Sequence, residues 1–204
     1  MRRGVAFVLM ISLLLLSACS GSRQQEDAFK NARQQWQTAR QLDFVLELRA
    51  DLGGNVFSCT MEGCQRPEEL KLCFLEPEMV KGICLRKGAE DTLLSYEGLE
   101  FSVGKLFGTE LSPAQALPLL LEALLQGHVM SLSEEPWEEG SLLCAQIFID
   151  DDLYAFFRLD GNDLSPREGE LVCAGRSVAV CTFRSFTTEQ GVSDYETPDH
   201  EDLG

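Results

Sequence analysis

From Asp43 onward the apolar residues alternate: Phe44, Leu46, Leu48, Ala50 and Leu52 fall on one side, and Val45, Glu47, Arg49 and Asp51 on the other. A period of two predicts a half-buried antiparallel strand. Gly53-Gly54-Asn55 turns the chain, and Phe57, Cys59 and Met61 repeat the pattern on a second strand. Further strands are predicted near 68–75, 79–86, 91–96 and 99–106, then near 128–133, 142–149, 152–159, 169–174 and 178–187. About ten short strands in a meander predict one large, strongly curved sheet.

Two stretches break this period. Glu26 to Leu42 spaces Phe29, Ala32, Trp36 and Ala39 three and four residues apart, which predicts an amphipathic helix after a polar tether, Ser20 to Gln25. Trp36 on such a stripe reads as packing rather than as a ligand platform. The second stretch opens with Ser112-Pro113-Ala114-Gln115, a capping box with Pro at the first helical position, and stops at Gly127. Between them the chain is apolar nearly all round, with only Glu122 and Gln126 polar, and Pro118 is expected to bend it. The helix is too short to span a bilayer. It is therefore expected to lie buried against the concave face of the sheet, making the fold α+β. Leu117, Leu120, Leu121 and Leu124 then either fill that concavity or line an apolar cavity. His128, directly after Gly127, sits where a cation suits the helix dipole.

The N-terminus sets the compartment. Arg2 and Arg3 precede an apolar run from Val5 to Leu16, and Leu16-Ser17-Ala18-Cys19 forms a bacterial lipobox. The competing reading is an ordinary export signal or membrane anchor with Cys19 present by coincidence. On the lipobox reading, residues 1–18 are a lipoprotein signal peptide, 19–25 a lipidated tether, 26–188 the folded domain and 189–204 a disordered acidic tail. The protein is then held on the extracytoplasmic side of the cell membrane by acyl chains on Cys19, where two or three chains anchor durably.

The 204 residues carry a net charge of −16, and removing Arg2 and Arg3 makes the chain more acidic still. Such a field repels nucleic acid and gives anionic headgroups no basic patch. Beyond Cys19 stand Cys59, Cys64, Cys73, Cys84, Cys144, Cys173 and Cys181. An odd set leaves at least one thiol unpaired. Most are expected to remain reduced, with Cys73–Cys84, on facing arms of a hairpin turning near Pro77, the best local disulfide candidate. A tight turn there leaves that pair diagonal, too far apart for a strain-free bridge, and a register shift is needed to bring them opposite.

Cys59 and Cys64 superficially resemble half a zinc knuckle, but no second close pair follows. Asp150-Asp151-Asp152 and Asp160-Gly161-Asn162-Asp163 read as acidic turns whose spacing does not match a calcium loop. No nucleophile motif is present. No catalytic residue, metal or cofactor is assigned, and the chain is expected not to be an enzyme.

Three tracts carry a resemblance: Leu94-Ser95-Tyr96-Glu97-Gly98-Leu99-Glu100, then Leu111 to Leu121, then Val180-Cys181-Thr182-Phe183-Arg184-Ser185-Phe186-Thr187. Together with the lipobox, the amphipathic helix and the plugged meander, they resemble the LolA/LolB-like lipoprotein-carrier superfamily, in particular LolA-like lipoproteins of clostridia. The resemblance covers about residues 26–188. It implies an incomplete antiparallel barrel wrapped round its helices, with an apolar cavity that in carriers receives acyl chains. Some clostridial members resemble germination lipoproteins that assist a protein partner. Two functions follow as expectations: a non-enzymatic lipoprotein binding an acyl chain or lipoprotein, or an interaction protein with a filled core that engages a protein partner. An envelope enzyme is a distant third.

Overall fold

The computed structural model describes residues 20–52, 55–88, 91–104, 113–138 and 140–190. The stretch read as an export signal with Cys19, the turn expected at Gly53-Gly54, Ser112 of the capping box and the acidic tail expected beyond Gln190 lie outside the described residues. Helix α1 spans Ser20–Thr38 and helix α2 Pro113–Gln126. Among the described residues there are eleven strands: β1 Gln41–Leu52, β2 Asn55–Arg66, β3 Glu69–Glu76, β4 Cys84–Lys87, β5 Thr92–Tyr96, β6 Leu99–Gly104, β7 His128–Trp137, β8 Gly140–Asp150, β9 Leu153–Asp160, β10 Pro166–Cys173 and β11 Arg176–Glu189.

They form one antiparallel sheet in the order β6-β5-β4-β3-β2-β1-β11-β10-β9-β8-β7, not closed into a barrel. The chain runs from the middle of the sheet to one edge, crosses to the other edge through α2, and returns. The expected single meander is thus two meanders joined where the first strand pairs the last, as in Leu48 opposite Cys181. Because the crossover joins the two edges, α2 has to pass over a face of the sheet. Register irregularities, such as those at Val45/Leu46 and Leu171/Val172, bend the strands.

α2 packs on β1, β8, β9, β10 and β11 and on α1. Those strands present small buried residues inward, among them Ala50, Ala145, Ala155 and Ala179. Small side chains on the sheet leave room for large ones on the helix, so Leu117, Leu120, Leu121 and Leu124 sink to 4% exposure or less. The helix continues through Pro118, which lacks the N–H an interior position would donate.

α1 begins at Ser20 rather than Glu26, absorbing the stretch read as a tether, and ends at Thr38 because the period of two takes over at Gln41. Edge-to-face rings tie it to the sheet, Phe29 on Trp36, Trp36 on Phe186, Phe186 on Phe183 and Phe183 on Phe44, at centroid distances of 5.7–6.4 Å. Trp36 is therefore a packing residue. Phe44 lies over Gly63, where an added Cβ would meet the ring at 2.0 Å.

The last carbonyls of α2 are capped from α1. Arg33 donates from Nε to Leu125 O at 3.1 Å and from Nη2 to Gly127 O at 2.8 Å, and Gln37 also donates to Leu125 O. The guanidinium stands 5.6 Å from the Phe29 ring centroid, and burial lowers its pKa from the usual value. Arg33, not the exposed His128, supplies the cation at this helix end. Arg33→Gln should cost about 1–3 kcal/mol by leaving these carbonyls poorly paired, and Arg33→Lys should recover only part. Denaturant unfolding of the two variants measures it.

β4 starts at Cys84, not near residue 79, because residues 78–82 form a turn with Gly82 at a φ of 83°. The turn is centred beyond Pro77, so Cys73 pairs directly opposite Cys84, and the two are disulfide-bonded with Cα atoms 4.1 Å apart. Cys59, Cys64, Cys144, Cys173 and Cys181 are free. Thiol titration under denaturant of a chain lacking Cys19 should count these five, and seven after reduction. Three intact bridges would contradict this pairing.

Candidate apolar ligand site

Paired residues on neighbouring strands face the same side, so the register defines a row: Phe44, Gly63, Leu72, Leu85, Leu94 and Phe101, from β1 to β6. Its inner members Phe44, Leu72 and Leu85 are core. Leu94 is half-buried, and at the edge of the sheet Phe101 is 53% exposed. Two residues along, Tyr96 and Leu99 pair across the β5–β6 hairpin on the same face and are 43% and 60% exposed. Phe57 and Phe74, half-buried and edge-to-face at 6.4 Å, belong to this face on β2 and β3.

The hairpin turns at Glu97-Gly98 with φ angles of 49° and 81°, as a two-residue turn with both φ positive requires. That turn places Tyr96 opposite Leu99. The core surface thus continues sideways into an uncovered ledge of Leu94, Tyr96, Leu99 and Phe101, at the edge of the sheet remote from the strands that carry α2. The one polar atom among these four side chains is the phenol oxygen. A surface of this kind suits an apolar ligand.

The four α2 leucines stand together in the core, packed rather than open. Cys59 and Cys64 are five residues apart on one strand and point to opposite faces: Cys59 pairs Leu48 on the inner face, and Cys64 pairs Asp43 on the outer. They cannot share a metal. The Asp150 and Asp160 segments lead into turns, with Asp150 accepting from the Asp151 N–H at 2.8 Å and Asp160 from the Asn162 N–H at 2.9 Å. Among the described residues no group of three or more His, Cys, Asp or Glu could hold a metal ion.

The outer face carries a feature the alternation did not disclose. A bowl of about 630 Å³ is lined by Asp43, Glu62, Arg66, Lys71, Arg86 and Glu100, with the Cys73–Cys84 bridge in its wall. Its charges are partly matched internally: Gln41 donates to both Asp43 oxygens at 2.8 Å, and Arg86 lies 3.7 Å from Glu69 and 3.5 Å from Glu100. Burial, and then the nearby Asp43 carboxylate, push the Cys64 thiol above its usual pKa. Such a thiol is a poor nucleophile near neutral pH.

No protein-family model matches the chain, and no curated protein sequence matches it. Solved structures are similar to it. A conserved protein from Thermus thermophilus matches at a TM-score of 0.50 and 9% identity over 83% of this chain and 88% of that one. A LolA superfamily protein from Nitrosomonas europaea matches at 0.44 and 11% identity over 83% and 94%. The Mycobacterium tuberculosis lipoprotein LppX matches at 0.44 and 11% identity over 80% and 93%. At such identities the likeness is one of fold.

Proposed function

We propose that this is an envelope lipoprotein, anchored through Cys19 on the extracytoplasmic side, whose domain holds an apolar ligand without chemical change. The ligand is an acyl chain, free or carried by a lipoprotein, and it lies on the inner face of the sheet along the row that ends at Phe101. On this reading the open sheet curls about α2 as an incomplete barrel whose interior is partly filled by its own leucines. The observation that carries the proposal is the continuous apolar row from Phe44 to Phe101, buried at one end and exposed at the other. Binding there removes aromatic and leucine surface from water with no charged group to desolvate.

Burial of the four α2 leucines favours the second reading as well, a filled core whose ledge receives apolar side chains of a protein partner. Titrating a fluorescent fatty acid into delipidated protein lacking Cys19 separates the two. Saturable binding near one chain per domain supports the acyl reading. A signal that never saturates leaves the partner reading in front.

A further inference from the structure

Ser20, the first residue of α1, directly follows Cys19, and the helix is continuous to Thr38. Its path beside β7 is fixed at two points. Gln25 Nε2 donates to Glu134 Oε2 at 2.7 Å, and Arg33 reaches the O of Gly127, the residue before β7, at 2.8 Å. As the helix number rises the β7 number falls, so helix and strand run antiparallel here. The start of α1 and the end of β7 therefore project from the same end of the domain.

The heights agree. From Gln25 back to Ser20 the helix climbs about 7–8 Å at 1.5 Å per residue. From Glu134 to Trp137 the strand climbs about 10 Å at 3.3–3.4 Å per residue. Trp137 closes β7 opposite Gly140 and is 58% exposed, whereas the other tryptophan, Trp36, is core.

We infer that this end of the domain rests on a lipid bilayer, with Trp137 seated in the interfacial layer beside the acylated Cys19. The inference rests on the lipid attachment proposed above. An indole is suited to the boundary between headgroups and acyl chains, where its ring is apolar and its N–H finds a partner. Charge does not drive the contact. Glu134, Glu135 and Glu138 flank the tip, and the Asp160–Asp163 turn is tied to it by the Gly161 N–H donating to Ser141 O at 2.8 Å. Those acids repel anionic headgroups, so the contact depends on the high local concentration that the anchor imposes. The domain without its lipid should not bind vesicles, and on anionic bilayers the contact should strengthen as salt is raised.

The test uses the full lipidated protein and its Trp137→Phe variant in phosphatidylcholine vesicles with plain or brominated acyl chains. The difference between the two emission spectra reports Trp137. Brominated lipid should quench roughly half or more of that emission. Acrylamide quenching of Trp137 should also fall by about twofold from that in unlipidated Cys19→Ser protein. Protein that floats with the vesicles while Trp137 emits equally in plain and brominated lipid overturns this inference alone. Protein that does not float overturns the anchor and this inference together.

Discussion

Leu124→Ala should destabilise the domain by about 2–5 kcal/mol, whereas Leu99→Ala should change stability by about 0.5 kcal/mol or less. Leu124 is fully buried on the helix that crosses the sheet, and its neighbours Leu117 and Leu120 are packed as tightly. Truncation leaves a void that a helix held on five strands and on α1 cannot collapse to fill. Leu99 stands on the open ledge and makes little of the core. Chemical denaturation of both variants at matched slope gives the comparison. Equal small effects would mean that α2 is not the support of the core, and with it would go the reading of a partly filled interior.

Phe101→Asp is expected to weaken fatty-acid binding by about tenfold or more while leaving the unfolding midpoint nearly unchanged. The carboxylate would sit at the exposed end of the Phe44–Phe101 row, where an acyl chain would have to desolvate it. Tyr96→Phe should retain binding, because the phenol oxygen is not required to hold a hydrocarbon. Full affinity in Phe101→Asp would move the ligand off the ledge.

Much of the fold is legible in the chain. The strict alternation in residues 43–52 can bury only one face, and β1 forms there. The stretch around Leu120 has no polar face to give to water, and α2 is buried as that pattern requires. Local pattern fails where topology decides. Residues 79–83 look as apolar as their neighbours, yet Gly82 at positive φ makes them a turn and shifts Cys73 opposite Cys84. The pairing of β1 with β11 joins residues more than a hundred positions apart, and no local period encodes it.

The ledge was hidden for a related reason. Tyr96, Leu99 and Phe101 have the alternation of ordinary inward residues, and only the place of β5 and β6 at the edge of the sheet exposes them. A sequence signal existed in Glu97-Gly98, a tight-turn dipeptide that sets two apolar residues side by side. It indicates the pair but not its exposure. Arg33 was missed similarly: on a Gln- and Arg-rich helix face nothing marks which cation will meet the end of another helix.

The most direct test of the ligand reading is native mass spectrometry of the folded domain lacking Cys19, expressed in bacteria and purified without detergent. The account predicts a population heavier by one acyl-bearing molecule, lost in Phe101→Asp and restored when fatty acid is added to the delipidated wild type. A wild-type spectrum of bare protein alone, unchanged by added fatty acid while the domain stays folded, would contradict it.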